Sequence, residues 1–415
     1  MITTFYPPYN FGGDGIFVHR LSNELAQRGH RVEVIHCIDA YRLLSGHEPS
    51  QNYDHHPNVM VHGLKSRFGF LSPLATQQTG FPLFKSAQIR RILDKGFDVI
   101  HYHNISLVGG PKILEYGDGI KLYTMHDYWL VCPTHVLFRY NRAPCTKPHC
   151  FLCSLVCKQP PQGWRYSGLL KSAVRRVDAF IAPCSFAKER HQQMGLKAPI
   201  VLLPHFVSGM ERQLPLSEQY QGGSSGEPYF LFVGRLEKLK GLQTLIPVFR
   251  NYPRANLLIA GKGNYETRLR QLAQGSPHIR FLGHLSHQEI QSLCRQAVAL
   301  IVPSINFEVN PPLVIKEAFS QRTPVVVRDL GGMSEVIVES GGGCLYNTDE
   351  ELIAAMDRLV ADSSHRNELG LNGYLAYKQK WTAEVHLQQY FTLIQEVSKK
   401  REGRTFWKET NPHPV

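Results

Sequence analysis

The most constraining feature of this chain is a repeated order of elements: a short apolar run, a turn, and an amphipathic stretch with apolar residues three or four positions apart. That order is typical of parallel β-sheets covered by helices on both faces. It predicts an α/β fold class with two doubly wound, Rossmann-like domains. The predicted strands are 2–6, 31–36, 59–63, 98–103, 121–125, 179–182 and 200–203 in the first half, and 229–233, 256–260, 279–282, 298–302, 324–327 and 343–346 in the second.

The length of 415 residues also favours two domains, because single cores rarely grow beyond about 250–300 residues. Periodicity is lost at 217–228, where Gly and Ser accumulate as in a flexible connection. We therefore predict an N-terminal domain at 1–210 and a linker at 211–228. A C-terminal domain follows at 229–382, and a final helix and tail at 383–415 are expected to pack back toward the N-terminal domain.

Composition excludes several classes of protein. Hydrophobic residues make up 43% and charged residues 19%, which is typical of a folded globular chain and not of a disordered one. The sequence shows no apolar run near the ~20 residues that cross a bilayer and no secretory signal pattern, so we expect a cytoplasmic protein. Residues 1–200 carry 23 Lys and Arg against 13 Asp and Glu, whereas residues 201–415 carry 23 against 21. The positive charge is thus concentrated in the first half, and no nucleic-acid recognition motif accompanies it.

Polar residues follow the predicted strands of the first half, where parallel sheets bind their ligands. The loop 7–15 contains Gly12 and Gly13 before a predicted helix, and Asp14 is placed to cap that helix. The loop suits either a phosphate at a helix N-terminus or a simple tight turn. His101, His103 and His126 close two neighbouring strands, and His126 is the preferred functional candidate because the chain leaves the sheet directly after it.

In the second half, the strand 229–233 is followed by Arg235 and Lys240. A planar guanidinium and a compact ammonium suit a diphosphate that gains negative charge, although a solvated basic loop would look similar. Glu308 lies in a later loop and Glu317 inside the helix predicted to start near Pro311 or Pro312. Glu308 is suited to accept hydrogen bonds from sugar hydroxyls, and Glu317 from a ribose.

Taken in order, these motifs resemble the group 1 glycosyltransferases of the GT-B fold, in which two Rossmann-like domains face a central cleft. The resemblance covers nearly the whole chain. It implies transfer of a sugar from a nucleotide-diphosphate sugar with retention of configuration and no cofactor required for catalysis. The motifs that carry it are Phe-Tyr-Pro-Pro with Gly12-Gly13, Arg28-Gly29-His30, Gly234-Arg235 with Lys240-Gly241, Gly261-Lys262-Gly263, Phe281-Leu282-Gly283, Val302-Pro303-Ser304, Glu317-Ala318 and Gly331-Gly332.

The resemblance also implies site residues. The catalytic set is His126, Arg235, Lys240 and Glu308, with the two cations on the diphosphate and His126 near the donor sugar. The donor-binding set is Gly13, Gly234, Gly283, Asn310 and Glu317. The two glutamates are separated by eight residues where the family usually has seven, which puts the role of Glu308 in question. The first strand also starts later than in the family, which predicts a natural start upstream of Met1.

A cysteine cluster follows His126: Cys132, then Cys145, Cys150, Cys153 and Cys157. The last four have a spacing that could supply thiolates to a structural zinc or iron–sulfur centre. Reduced thiols or a redox-active pair are the alternatives. If a metal is bound, it would stabilise the long loop after His126.

Basic residues in and after this cluster are mixed with apolar and aromatic ones, as at Leu169–Arg176. Such a surface suits an anionic membrane or a lipid-linked acceptor, and an ordinary solvated face is the alternative. We therefore expect a glycosyltransferase of cell-surface polysaccharide biosynthesis that uses a glycan or lipid-linked acceptor, peripheral at the inner face of the membrane. The competing functions are a nucleotide-sugar 2-epimerase of the same fold and a non-catalytic nucleotide-sugar-binding protein.

Overall fold

The computed structural model describes residues 1–49, 53–207 and 227–401. The contacts divide the chain into two compact units. One unit contains Met1–Leu203 together with the residues from Leu387 onward, and the other is Pro204–His386. Most of the linker predicted at 211–228 lies outside the described residues, and the predicted domain bounds stay a prediction. No helix in the described ranges is long and apolar enough to span a bilayer.

The first unit alternates strands and helices as the apolar pattern predicts. Its strands are β1 (Val32–Cys37), β2 (Val59–Leu64), β3 (Val99–Tyr102), β4 (Ile120–Thr124), β5 (Phe138–Arg139), β6 (Ala143–Pro144), β7 (Ala179–Ala182) and β8 (Ile200–Leu202). Its helices are α1 (Gly13–Gln27), α2 (Ile38–Ser45), α3 (Leu71–Thr79), α4 (Ser86–Leu93), α5 (Cys150–Val156), α6 (Leu169–Val174) and α7 (Ser185–Gln193). Six of the seven strands predicted in this half are present within one residue of the predicted ends.

The seventh predicted strand, 2–6, is wrong. No regular strand forms there, although Ile2 makes parallel bridges to Ile35 on β1 and to Tyr102 on β3 and backbone hydrogen bonds extend this pairing over Met1–Thr4. The chain then turns, because Pro7 and Pro8 have no N–H to donate and Tyr6 pairs with Tyr9 instead. Among the regular strands, β1 therefore pairs with β2 and β3-β4-β7-β8 form a parallel set, and the segment Met1–Thr4 lies between these two parts of one sheet.

A cavity of ≈ 120 Å³ lies beside the first residue of the chain. Its lining includes Val32 and Val99, which begin β1 and β3, and apolar side chains such as Leu25 and Ile394. The Met1 ammonium donates to the Glu33 carbonyl oxygen at 2.8 Å. Burial lowers the pKa of that ammonium to about 5, because the charged form loses its hydration.

The second unit is a regular α/β layer structure. Its strands are β9 (Tyr229–Val233), β10 (Asn256–Ala260), β11 (Ile279–Gly283), β12 (Ala299–Val302), β13 (Val325–Arg328) and β14 (Gly343–Tyr346). Its helices are α8 (Leu242–Arg250), α9 (Glu266–Leu272), α10 (His287–Gln296), α11 (Leu313–Ser320), α12 (Gly332–Ser340), α13 (Asp349–Ala361) and α14 (Ser363–Lys380). The last helix, α15 (Ala383–Lys400), begins in this unit and continues in the first. All six strands predicted here are confirmed within one residue of their ends.

The order of the second sheet, β11-β10-β9-β12-β13-β14, determines where a ligand can bind. All its strands are parallel. After β9 the chain builds the sheet outward through β10 and β11, and it then returns to place β12 on the other side of β9. The connections after β9 and β12 therefore run in opposite directions along the sheet, and such a switch point is where open α/β sheets form a ligand crevice.

Candidate functional site

Two loops at the switch point of the second unit carry charged side chains. The loop after β9 runs from Gly234 into a short 3₁₀ turn at Lys238–Lys240, and the loop after β12 leads to α11. They are fixed to each other, since the Ile305 amide donates to the Leu239 carbonyl at 2.9 Å. Gly241 has φ +80°, and a Cβ there would lie 1.8 Å from the Pro303 carbonyl oxygen. A glycine is required at that position because only glycine permits this close approach.

This contact brings Lys240 and Glu308 together. The Lys240 Nζ lies 2.7 Å from the Glu308 Oε1, and the Ser304 hydroxyl donates to the same oxygen at 3.0 Å. The two side chains are 24% and 15% exposed, so the pair is partly screened from water. Despite the unusual separation of the two glutamates in sequence, Glu308 reaches the lysine of the first loop. Sequence reasoning did not predict the part played by Ser304.

Arg235 is not part of this ion pair. Its Nη1 lies 2.7 Å from the Glu237 Oε1, and its side chain is 50% exposed. The two cations that sequence reasoning placed on one diphosphate thus have different partners: Lys240 is held by Glu308, and the exposed Arg235 pairs with Glu237. Its assignment to the diphosphate stays a prediction.

Glu317 lies on α11, whose N-cap is Pro312, close to the predicted start of the helix. The Glu317 Oε1 is 3.8 Å from the Nδ1 of His287, and the Glu317 side chain is 12% exposed. His287 is the first residue of α10, which Ser286 and Glu289 begin with a capping box. That capping sequence could have identified the position of His287, which sequence reasoning missed.

The predicted glycines of the second unit lie at strand ends. Gly283 ends β11, and its carbonyl accepts from the Gly261 amide at 2.6 Å. Gly234 follows β9 and donates to the Ala260 carbonyl at 3.0 Å. Asn310 lies in the loop between β12 and α11 that also carries Glu308. Gly234, Gly283 and Asn310 of the predicted donor-binding set thus all lie at or after the carboxyl ends of strands of this sheet.

In the first unit, Gly13 is the first residue of α1, with Gly12 as its N-cap. The predicted cap by Asp14 is wrong, because Asp14 lies inside the first turn and no side chain caps this helix. Asn10 orders the loop instead, since its Nδ2 donates to the Gly12 carbonyl at 2.8 Å. The helix thus begins on a glycine-rich loop with a carboxylate in its first turn.

The three predicted histidines are brought together. The His103 Nδ1 lies 2.9 Å from the His126 Nε2, and the rings of His101 and His103 are 4.1 Å apart. His101 is held by the Thr124 hydroxyl at 2.8 Å and the Tyr390 hydroxyl at 3.1 Å. Burial lowers the pKa of the His126 imidazole, so the neutral form is favoured near pH 7. A neutral ring can act as both donor and acceptor.

Asp127 has a structural partner that its position after His126 did not predict. Its Oδ2 lies 2.8 Å from the His135 Nδ1, and its Oδ1 accepts from the Trp129 amide at 2.9 Å. Burial alone would raise the pKa of Asp127, but His135 and this amide hold it below its usual value. The carboxylate therefore stays ionised and organises the loop after β4.

The predicted metal ligands are only partly brought together. The Sγ atoms of Cys153 and Cys157 are 4.0 Å apart, whereas Cys145, Cys150 and Cys153 line a small cavity together with Cys132. All of these cysteines are free thiols. In the part of the chain that the structure describes, no three His, Cys, Asp or Glu side chains are close enough, as they stand, to hold a metal ion.

Comparison with solved structures defines the class of this architecture. Sucrose-phosphate synthase from Thermosynechococcus elongatus superposes with a TM-score of 0.73 at 19% identity, over 96% of this chain and 98% of its own. HepE of Anabaena, solved with UDP and glucose, superposes with a TM-score of 0.67 at 18% identity, over 95% and 99%. At this identity the likeness establishes the fold, which is GT-B, as predicted.

Sequence comparison then identifies the family. Residues 218–376 match the model of the glycosyl transferases group 1, and residues 11–208 match that of the glycosyltransferase family 4. Glycogen synthase of Mycobacterium tuberculosis is 26% identical over 399 residues, covering 87% of this chain and 86% of its own. This chain belongs to the group 1 glycosyltransferases, and the predicted family and enzyme class are confirmed.

Proposed function

We propose that this enzyme transfers a sugar, with retention of configuration, from a nucleotide-diphosphate sugar to a glycan or lipid-linked acceptor in cell-surface polysaccharide biosynthesis. The observation that carries the donor assignment is the Lys240–Glu308 pair at the switch point of the second sheet. An anionic diphosphate at this position competes with Glu308 for the Lys240 ammonium. The released Glu308 carboxylate is then free to accept hydrogen bonds from sugar hydroxyls.

Once Lys240 has moved from Glu308 to the bound diphosphate, its positive charge favours the transition state of the transfer. Cleavage of the bond between the anomeric carbon and the diphosphate oxygen leaves negative charge on the departing diphosphate and positive charge on the sugar. A cation already in place stabilises that developing charge without reorganisation, and removal of one such donor typically costs ~10²–10³ in rate. Lys240 supplies the cation, and Arg235 reinforces it if its side chain turns from Glu237 to the phosphates.

Glu317 is suited to bind the ribose of the nucleotide. Its carboxylate is largely buried on α11, so two ribose hydroxyls would find a fixed acceptor of defined orientation. The His287 Nδ1 lies 3.8 Å from the same carboxylate. In the first unit, we propose that His126 acts in the reaction as a neutral imidazole, with its ring held by His103.

A surface of the first unit supports a lipid-linked acceptor. We call it the aromatic patch, and it consists of the exposed apolar side chains Phe68, Phe70, Leu71, Phe81, Leu83 and Phe84. Phe68 and Phe84 pack at 4.4 Å, and the Arg67 guanidinium lies 5.0 Å from the Phe68 ring. Exposed aromatic side chains beside cations in a basic half of the chain fit the headgroup region of an anionic membrane. We therefore propose that the enzyme works at the cytoplasmic face of the membrane.

The donor site is tested by nucleotide release from a panel of nucleotide sugars, with thermal shift as the binding readout. We expect one donor to be hydrolysed or transferred with release of its nucleoside diphosphate. Lys240→Ala and Glu317→Ala should each reduce release ~10²-fold or more. The control is Lys238→Ala, an exposed lysine in the same turn. Isomerisation of the sugar without nucleotide release would instead show an epimerase, and stabilisation with neither would show a binding protein.

The membrane assignment is tested by sedimentation with vesicles of phosphatidylglycerol and phosphatidylcholine. We expect salt-sensitive binding that phosphatidylcholine alone does not support. Phe70→Ser and Leu83→Ser should weaken it, because these side chains are 58% and 54% exposed. Val338→Ser is the matched control, since Val338 is 75% exposed on α12 of the other unit. Equal loss in all three variants would contradict the assignment of the aromatic patch.

A further inference from the structure

The segment 131–158, which we call the cysteine loop, has little regular structure to hold it. It contains the two-residue strands β5 and β6 and the seven-residue helix α5. Non-glycine residues adopt positive φ at five positions, which are His135, Leu137, Tyr140, Asn141 and Lys158. The outer face of α5 leaves large apolar side chains exposed, among them Phe151 and Leu155. A segment with so small a core of its own needs another source of stability.

Four cysteines surround a single small cavity inside this loop. Its volume is ≈ 10 Å³, and its lining includes Cys132, Cys145, Cys150 and Cys153 together with His149, the N-cap of α5. Three of these side chains are buried, and Cys150 is partly exposed. A space of this size is close to that of a single water molecule, which is the scale of one metal ion.

The cysteines around the cavity are not the four that the spacing predicts as ligands. Cys157 does not line the cavity, although its Sγ lies 4.0 Å from that of Cys153. Cys132 takes its place, because the chain turns back at 128–135, where the Tyr128 amide donates to the His135 carbonyl at 2.9 Å. The Cys145 amide donates to the Leu137 carbonyl at 2.6 Å, and Cys145 lines the same cavity.

We propose that Cys132, Cys145, Cys150 and Cys153 bind one structural Zn²⁺. Four thiolates are a ligand set that zinc accepts in tetrahedral geometry with Zn–S bonds of about 2.3 Å, and four protein ligands leave no open position for catalysis. The thiols are not within coordinating distance of one point as they stand. Binding therefore turns them inward over the cavity and releases four protons as four thiols become thiolates.

The surroundings are suited to four bound thiolates. The Tyr140 amide donates to the Cys153 Sγ at 3.4 Å, which orients this ligand from outside the first coordination sphere. Arg139 lines the same cavity and offers a positive charge to a tetrathiolate centre of net charge −2. The ion would link the turn after β4, which carries His126 and Asp127, to α5, and so stabilise the loop that follows the histidine pair.

The test is metal analysis of the full chain purified under reducing conditions without chelator. We expect one equivalent of zinc per chain, with Cys132→Ser losing most of it and Cys157→Ser retaining it. Retention by Cys132→Ser together with loss by Cys157→Ser would overturn the ligand set. A wild-type chain that holds no zinc and takes up none when it is added would overturn the site.

Cobalt substitution keeps the proposal falsifiable if Cys132→Ser does not fold. Co²⁺ in a tetrathiolate site gives intense thiolate charge-transfer and tetrahedral d–d absorption, which activity measurements do not report. Cys150→His preserves a ligand, so we expect a folded variant that still binds Co²⁺ with a weaker charge-transfer band. An unchanged spectrum in Cys150→His would show that Cys150 is not a ligand.

Discussion

His386, near the end of the second unit, predicts a measurable loss of stability in acid. Its side chain is buried, and the Nδ1–H donates to the Pro204 carbonyl at 2.8 Å. Lys316, also buried, donates to the His205 carbonyl at 2.8 Å and lies near the same imidazole. Burial lowers the pKa of His386 to about 4, and Lys316 adds to the effect because a second positive charge is disfavoured there.

The size and sign of the effect follow from this pKa. In the unfolded chain the imidazole titrates at 6.5, so between pH 6.5 and 4 the unfolded state binds more protons than the folded state. The free energy of unfolding therefore falls as the pH falls through this window. At 1.36 kcal/mol per pKa unit the full loss is about 3 kcal/mol, of which about 2 kcal/mol is reached at pH 5.

The measurement compares urea unfolding of the wild type and His386→Asn from pH 7.5 to 4.5. Asparagine keeps a donor for the Pro204 carbonyl but does not titrate, so the stability of the variant should fall less steeply on acidification. His284→Asn is the control, because His284 is exposed in the same unit. Parallel pH profiles for the wild type and His386→Asn would refute the reasoning. Protonation of His386 would also place a second positive charge near Lys316, which precedes Glu317 on α11.

Three further perturbations have defined outcomes. Gly241→Ala should lower nucleotide release strongly, because its Cβ would push the Lys240 loop off the Pro303 carbonyl; an unchanged rate would show that the loop contact is dispensable. His103→Ala should reduce kcat with little change in donor KM and shift the pH–rate profile, because His103 holds His126 at 2.9 Å; a change in KM alone would contradict this. Leu25→Phe should partly fill the ≈ 120 Å³ cavity and raise the free energy of unfolding by about 1 kcal/mol, whereas a lower melting temperature would show that the cavity does not accept the ring.

Local patterns were sufficient to predict most of the fold. Strands such as β9 and β12 are continuous apolar runs between turn residues, as expected for strands buried on both faces, so their ends could be placed within one residue. The strand predicted at 2–6 failed because Pro7 and Pro8 determine where the chain turns, and this effect overrides the apolar pattern before them. The spacing of apolar residues alone does not predict the turn at Pro7 and Pro8.

The candidate site shows a different limit. Residue type and position after a strand identified Lys240, Glu308 and His126 as candidates, since carboxyl ends of parallel strands share one edge. Their partners depend on contacts between distant segments, which spacing does not encode. Lys240, for example, pairs with Glu308 from a different loop. Cys132 lines the small cavity and Cys157 does not, and this too depends on contacts between segments that are apart in the sequence.

The single-residue bridges of Ile2 have a consequence for local dynamics. Among the described residues, the backbone of Met1–Thr4 joins the two parts of the first sheet, through bonds such as the Ile35 amide to the Met1 carbonyl at 2.9 Å and the His103 amide to the Ile2 carbonyl at 2.9 Å. Pairing over so few residues opens locally at a lower free energy than pairing along continuous strands. Amide hydrogens at Ile35 and His103 should therefore exchange with solvent deuterium well before those of β9, whose neighbours bond it on both sides.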